Sequence, residues 1–369
     1  MDRDRKYRVL IGGGGTGGHV FPAIAIADAL KQMNPSTEFL FVGATGKLEM
    51  EKVPEAGYAI EGLPVAGFQR SLTLKNISFF YKLFVSMVRS RRIIRRYQPD
   101  VAVGVGGYAS GPILKAAARK GIPILIQEQN SYAGVTNRLL ARDARVICVA
   151  YEHMERYFPE DKIMLTGNPV RKSLLEHGRD REKSLREFGL RDGTAICLVV
   201  GGSLGARTIN RSIVDGLDRL NREDLQLLWQ CGSIYYEEVK EAVKRSGLRN
   251  VQVHPFISRM ERAYDIADTI VSRAGAITIS ELCLIGKPAI LVPSPNVAED
   301  HQTRNARALA DRDAAWMVPD RDAPEKLVDT MLQLIKDKEQ QKKLSEQIKI
   351  LGISDASERI ANEVFKLVN

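Results

Sequence analysis

Four cysteines are all that 369 residues contain, and Cys148, Cys197, Cys231 and Cys283 are scattered without C-x-x-C spacing. That argues against a disulfide framework and a clustered-thiolate zinc site. Three of the four sit in or beside apolar segments, so buried free thiols in a reducing cytoplasm are expected. No apolar run reaches the roughly 18 residues that span a bilayer. The charged start Met1-Asp2-Arg3-Asp4-Arg5-Lys6 has no apolar core, so no secretory leader is expected. A G-x-x-x-x-G-K-[ST] phosphate loop is absent. Asp-x-Asp at 2–4 and 311–313 follows no strand in either place and reads as solvated charge. No essential metal is expected.

What is present begins with size and balance. A chain of 369 residues exceeds what one core usually serves, so two domains are expected. Hydrophobic residues at 44% and charged residues at 27% are ordinary for a globular protein. The net charge of +9 leaves nucleic acid, acidic lipid and anionic small substrates open as partners.

Two glycine-rich turns, almost half a chain apart, each follow an apolar strand. The first is Gly12-Gly13-Gly14-Gly15-Thr16-Gly17-Gly18-His19 after Arg8-Val9-Leu10-Ile11; the second is Gly201-Gly202-Ser203-Leu204-Gly205-Ala206 after Ile196-Cys197-Leu198-Val199-Val200. A strand that ends in glycines and opens a helix lets backbone N–H groups approach an anion. Strands are predicted at 8–11, 38–42, 101–105, 122–126, 146–149 and 163–165, then at 196–200, 225–229, 251–253, 269–271, 289–292 and 315–317. Helices are predicted at 22–33, 77–97, 111–119 and 135–141, in a charged tail from Glu325 to about Ile350, and at 356–367 after Gly352 and Ser354. This alternation predicts an α/β chain of two doubly wound Rossmann-like domains facing a central cleft. The turn Gly167-Asn168-Pro169-Val170-Arg171 marks the boundary. The expected division is 1–168, 169–350, and a last helix in 351–369 that packs back on the first domain. The halves show no sequence repeat.

The chemistry starts at the glycines. Gly12, Gly14 and Gly17 satisfy G-x-G-x-x-G, as do Gly13, Gly15 and Gly18. A dinucleotide site also wants an acidic residue at the end of the second strand, where this chain has Gly43-Ala44-Thr45. The missing acid argues against NAD. His19 follows the glycines and reads as a base, a phosphate ligand or a plain helix-start residue. Arg273-Ala274-Gly275-Ala276-Ile277-Thr278-Ile279-Ser280-Glu281 makes a second anion seat after Thr269-Ile270-Val271-Ser272. Glu281 there either stabilises the helix dipole or accepts two vicinal ribose hydroxyls.

One stretch is unusual in charge. Ile77-Ser78-Phe79-Phe80-Tyr81-Lys82-Leu83-Phe84-Val85-Ser86-Met87-Val88 is nearly continuous in apolar residues, and Arg89, Arg91, Arg92, Arg95 and Arg96 follow. A core helix with cations in its last turn is one reading. Insertion of Phe79, Phe80 and Phe84 at a membrane interface, with Arg91, Arg92, Arg95 and Arg96 on anionic headgroups, is the other.

Seven motifs recur together. They are Gly-Gly-Thr-Gly-Gly-His at 14–19, Gly-Gly-Tyr at 106–108, Glu-Gln-Asn at 128–130, Gly-Asn-Pro-Val-Arg at 167–171, Gly-Gly-Ser-x-Gly-Ala at 201–206, Arg-x-Gly-Ala-x-Thr-x-Ser-Glu at 273–281 and Asp-His-Gln-Thr-Arg-Asn-Ala at 300–306. In order and spacing, over nearly the whole chain, the set resembles the MurG family of peripheral glycosyltransferases in bacterial peptidoglycan synthesis. The resemblance implies a GT-B fold and transfer of N-acetylglucosamine from UDP-GlcNAc to the 4-hydroxyl of undecaprenyl-diphosphate-muramyl-pentapeptide, converting lipid I to lipid II with inversion. It implies a donor on the second domain: Ile257 at the uracil through its backbone, Glu281 at the ribose, and Ser203 with Ala276, Ile277 and Thr278 at the diphosphate. Arg171, His301 and Gln302 would contact the donor, with Thr16, Gly17, Gly18 and Asn130 reaching it from the first. The implied setting is the cytoplasmic face of the bacterial inner membrane. The implied partners are UDP-GlcNAc, lipid I, anionic lipids and other proteins of cell-wall synthesis and division, and no nucleic acid. Two positions depart from the family pattern: Gln127 where many members have histidine, and Leu204 where many have glutamine. Leu204 offers no side-chain hydrogen bond to phosphate.

An inverting transfer needs an aligned hydroxyl, a base and stabilised departing charge, and helix N-termini with arginine can stabilise that charge without metal. Two other readings stand beside it. A UDP-GlcNAc 2-epimerase would share the fold and the donor, and a non-catalytic lipid or nucleic-acid binder would keep the donor site without turnover.

Overall fold

The computed structural model describes residues 5–65, 75–176, 180–202 and 204–368. The chain divides into two compact units, one of Met1–Arg171 with Asp355–Asn369 and one of Lys172–Ser354.

The first unit is built on a seven-stranded parallel sheet. Its strands are β1 (Arg8–Gly12), β2 (Glu38–Ala44), β3 (Ala59–Leu63), β4 (Val101–Gly104), β5 (Ile124–Glu128), β6 (Val146–Val149) and β7 (Ile163–Leu165), in the order β3-β2-β1-β4-β5-β6-β7. The second unit holds a six-stranded parallel sheet. Its strands are β8 (Ala195–Val200), β9 (Leu225–Gln230), β10 (Val251–His254), β11 (Thr269–Ser272), β12 (Ala289–Leu291) and β13 (Trp316–Met317), in the order β10-β9-β8-β11-β12-β13. Strand order reverses between β1 and β4 in one sheet and between β8 and β11 in the other. In doubly wound sheets ligands bind at such a reversal, beyond the strand C-termini. Both glycine turns leave from a strand at the reversal.

Each sheet is covered on both faces, as parallel strands require. Along β1, Val9 and Ile11 pack with Ile26 and Leu30 of the Gly17–Met33 helix, while Leu10 packs with Ile93, Ile113 and Leu114 on the opposite face. Along β8, Cys197 and Val199 face Ile209 and Val239, while Ile196 and Leu198 face Phe188, Tyr264 and Ile279. All four cysteines are free and buried. Burial pushes the thiols of Cys148, Cys197 and Cys283 up to about 12 and that of Cys231 to about 11, so they stay protonated.

Strand β3 and the charged tail depart from the predicted elements. Strand β3 reads Ala-Ile-Glu-Gly-Leu, and its glycine, its carboxylate and its partly exposed edge position hide the strand pattern. The charged tail is two helices, Ala323–Lys336 and Lys338–Ile350, because Asp337 ends the first and its side chain caps the second through the Gln340 N–H. The first unit runs to Arg171, and the chain re-enters it at Asp355.

That return is a core element. The Ala356–Lys366 helix lies on the Gly17–Met33 helix, and Ile360, Ala361, Val364 and Phe365 are buried among Val9, Ile11 and Ile26. The Phe365 ring meets Tyr7 edge-on with centroids 5.6 Å apart. Phe365→Ala is expected to destabilise the first unit by about 3–5 kcal/mol, the usual loss for a buried phenylalanine. Denaturant unfolding measures it, and a change below about 1 kcal/mol would mean that this helix is not part of the core.

Candidate active site

The turn after β1 is shaped by close backbone approach. Gly14 and Gly15 take φ of 141° and 93°, and Gly106 and Gly107, beyond the end of β4, take 89° and 84°. A Cβ on Gly107 would lie 2.2 Å from the Gly14 carbonyl oxygen, and one on Gly13 would lie 2.1 Å from Val105 Cγ2. The turn then opens the Gly17–Met33 helix with Thr16 at its N-cap. Gly17 and Gly18 therefore give the first helical N–H groups, which have no intrahelical acceptor.

His19 is partly buried on the same turn. Its Nδ1 lies 3.3 Å from the Thr16 hydroxyl, and the Nε2 edge of the ring rests over Gly106, where a Cβ would come within 2.9 Å. The imidazole is thus held between the two glycine turns at the strand reversal. Arg171 stacks over the Phe21 ring at 5.5 Å, on this same helix.

Beyond β5, Glu128 anchors the adjoining loop. Its Oε1 accepts from the Asn130 backbone N–H at 3.0 Å and Nδ2 at 3.3 Å; its Oε2 accepts from the Gly134 N–H and from Asn137 Nδ2, each at 2.9 Å. Burial pushes this carboxyl up, against the N–H donors that pull it down. Gln127 donates to Asn168 Oδ1 at 2.9 Å, and Asn168 donates to the Gln129 carbonyl at 3.0 Å. The departure at Gln127 is therefore tied to the boundary turn.

The second unit repeats the close approach with other partners. Gly205, at φ 81°, would place a Cβ 2.0 Å from the Cys231 carbonyl oxygen, and Gly232 would place one 2.4 Å from Gly205 N. Ser203 lies outside the described residues. The Leu204 side chain is exposed. Gln230 donates to the Gly202 carbonyl at 3.0 Å and accepts the Ile257 N–H at 2.8 Å, so one amide ties two site loops together. That bond already uses the N–H of Ile257, whose backbone the resemblance places at the uracil.

Ala276, Ile277 and Thr278 form the first turn of the Ala276–Ile285 helix, with extended Gly275 at its N-cap. Glu281 is buried one turn further on, where Tyr264 Oη donates to its Oε2 at 3.1 Å. Arg273 is structural: it donates to the carbonyls of Val292 and Pro293 and pairs with Asp320. His301 and Gln302 begin the His301–Ala310 helix, and Gln302 Oε1 accepts the Ser294 N–H at 2.9 Å. Glu299 and Asp300 before them take φ of 58° and 53°, a strained turn of the kind that collects at functional sites.

These features match a known family along both units. Residues 9–149 match the glycosyltransferase family 28 N-terminal domain and residues 196–360 its C-terminal domain. The chain belongs to glycosyltransferase family 28. A protein of Cytophaga hutchinsonii named UDP-N-acetylglucosamine--N-acetylmuramyl-(pentapeptide) pyrophosphoryl-undecaprenol N-acetylglucosamine transferase is 53% identical, over 100% of this chain and 99% of that protein. The crystal structure of Acinetobacter baumannii MurG superposes with a TM-score of 0.78 at 28% identity, covering 98% of this chain and 99% of that one. The fold is GT-B, and the chain falls in the MurG branch of the family. A UDP-GlcNAc 2-epimerase from Neisseria meningitidis, solved with UDP-GlcNAc, has a TM-score of 0.69 at 16% identity over 98% of this chain and 100% of that one. That likeness is of fold alone, so the epimerase alternative is set aside.

The Lys75–Tyr97 helix divides the two readings of its sequence. In its second half Ser86, Ser90, Ile93 and Ile94 are buried, Ile93 and Ile94 among residues of the first sheet, and Arg96 pairs with Glu61. In its first half Phe80 is 63%, Tyr81 70% and Phe84 68% exposed, with Phe79 edge-on to Phe80. The core-helix reading fails for that half. Arg91, Arg92 and Arg95 are exposed. Among the described residues, no helix is long and apolar enough to cross a membrane.

Proposed function

We infer that the chain transfers N-acetylglucosamine from UDP-GlcNAc to the 4-hydroxyl of undecaprenyl-diphosphate-muramyl-pentapeptide, with inversion at the anomeric carbon. The observation that carries this reading is the full-length match at 53% identity to a transferase of that name. The two glycine turns at strand reversals supply fitting chemistry, since each offers backbone N–H groups to a diphosphate.

The donor is assigned to the second unit. The start of the Ala276–Ile285 helix, with Ser203, takes the diphosphate, where helix dipole and N–H groups meet the charge that grows on departing UDP. Glu281, oriented by Tyr264, accepts the ribose hydroxyls. The Ile257 backbone meets the uracil, which requires Gln230 to release the N–H or the carbonyl to act alone. Arg171, His301 and Gln302 attend the sugar diphosphate. Thr16, Gly17, Gly18 and Asn130 are assigned to the donor as well, and His19 to the transfer step and the acceptor diphosphate. His19 either takes the proton of the attacking hydroxyl or binds the acceptor diphosphate.

No metal is needed in this scheme, because peptide N–H groups and arginine neutralise the leaving group. Radiolabelled UDP-GlcNAc mixed with a soluble lipid I analogue is therefore expected to yield labelled disaccharide product and UDP, in excess EDTA as without it. UDP-GlcNAc consumed without product would overturn the reading. Glu281→Ala is expected to weaken UDP binding by about 1.5–3 kcal/mol, the worth of a hydrogen bond to a charged group. Calorimetric titration of the folded variant measures this, and unchanged affinity would remove Glu281 from the donor site.

A lipid-linked acceptor keeps its tail in the bilayer at about 0.8 kcal/mol per CH₂, so the enzyme must reach the membrane surface. The exposed Phe80, Tyr81 and Phe84 with Arg91, Arg92 and Arg95 suit an anionic surface on the cytoplasmic face. Each arginine near such a surface is worth about 1 kcal/mol, and salt screens that attraction. Replacing Arg91, Arg92 and Arg95 with Gln is expected to weaken sedimentation with phosphatidylglycerol vesicles at low salt by about two orders of magnitude, while sparing transfer to the soluble analogue. Vesicle binding that is unchanged at low salt would mean that these arginines serve something else.

A further inference from the structure

A buried carboxylate stands behind the first glycine turn, and the reaction scheme above does not use it. Glu49 follows β2 and is 1% exposed. Its Oε2 accepts the Gly15 N–H and its Oε1 accepts the Ala44 N–H, each at 2.8 Å. The neighbouring backbone leaves room for it. A Cβ on Gly14 would fall 2.1 Å from Glu49 Oε1, and one on Gly43 would fall 2.4 Å from Glu49 Cγ.

We propose that Glu49 is a positioning residue for the transfer step, fixing the turn that presents Thr16 and His19. The argument is one of anchoring. Gly13 N–H is tied to the Val42 carbonyl at 3.1 Å, and the N–H groups of His19 and Val20 both turn back to Thr16. Between them the chain passes through two residues of positive φ, a conformation with wide freedom for glycine. The Glu49 carboxylate holds that stretch at Gly15 and joins it to the end of β2 through Ala44. On the other side of the turn lies Gly107, so the turn is wedged between a carboxylate and a backbone. A charge-assisted hydrogen bond to a buried carboxylate is a stiff restraint. It sits one residue before Thr16 and four before His19.

The proposal rests on assigning His19 of this turn to the transfer step, with the UDP part of the donor held by the second unit. That makes it testable by a split in kinetic constants. Glu49→Gln keeps the volume but offers one acceptor oxygen to two N–H donors, so one restraint is lost. Glu49→Asp keeps the charge but is one methylene too short to bridge both. Each variant is expected to lower kcat/KM for the soluble lipid I analogue about 10–100-fold, as misplacement of reacting groups by about 1 Å does. UDP affinity, titrated on the same preparations, is expected to stay within about twofold of wild type. A wild-type kcat and acceptor KM in a folded Glu49→Gln protein would overturn the proposal. So would a parallel loss of UDP affinity, or a lower unfolding midpoint with unchanged constants. If Glu49→Gln does not fold, the same split decides on Glu49→Asp. Wild-type protein run alongside separates the two ideas: no transfer by wild type refutes the proposed function, whereas transfer by wild type and by both variants alike refutes the role of Glu49.

Discussion

Backbone touching backbone at the strand reversals is the constraint on which the site depends. Gly14 lies against Gly107, and Gly205 against Cys231 and Gly232, at separations that admit no Cβ. Only glycine allows both the approach and the positive φ that each turn requires. The result is a strand that passes into a helix with its first N–H groups uncovered. Side chains at these positions would push the turns outward and bury or redirect those groups. The anion-seating capacity of each unit is therefore a packing property of four chain segments, two per turn, rather than of any one motif.

The two turns are held from behind by different chemistry. In the first unit the supports are carboxylates: Glu49 under the turn after β1 and Glu128 under the loop after β5. In the second they are amides: Gln230 between Gly202 and Ile257, and Asn210, which donates to the Cys231 carbonyl and accepts from Trp229 Nε1. A buried carboxylate without donors is costly, so each of the first unit's acids is enclosed by N–H groups. The contrast bears on what each turn can hold. An anion in front of the first turn shares its backbone with a charge behind it, and the Gly15 N–H is already spent. The helix start at Gly17 and Gly18 remains as the seat. In the second unit the support is neutral, which suits the donor diphosphate that the proposed function assigns there.

The glycine turns, the alternation of strands and helices, and the position of Glu281 were legible in the sequence because each rests on local pattern. Period and flanking residues reveal a buried parallel strand wherever it lies. The supports were not legible, because they join residues distant in the chain. Glu49 and Gly15 are separated by 34 positions, and Gln230 and Ile257 by 27. No spacing rule links them. The end of β2 lacks the acid of a dinucleotide site, and the carboxylate five positions beyond Ala44 carries no motif of its own. In a dinucleotide site the corresponding acid faces ribose. Here Glu49 spends both oxygens on the protein's own backbone. Strand β3 was missed for a related reason, since an edge strand with a glycine and a carboxylate carries little hydrophobic period.

The Lys75–Tyr97 helix shows why composition alone left two readings open. One helix performs two tasks in sequence. Ser86, Ser90, Ile93 and Ile94 give its second half a narrow buried stripe. Its arginines flank that stripe, and the Arg96–Glu61 pair adds a restraint of the modest kind that surface pairs supply. Among the described side chains of the first half there is no such stripe. Burying a phenylalanine is worth about 1.5–3 kcal/mol, so leaving Phe80 and Phe84 in water forgoes stabilisation that the fold could have used. An apolar patch of that kind, bordered by cations, is the usual mark of an interaction surface. The helix therefore reads as a lever fixed at its arginine end, and under the proposed function a membrane interface is the environment in which its aromatic end would recover what water withholds.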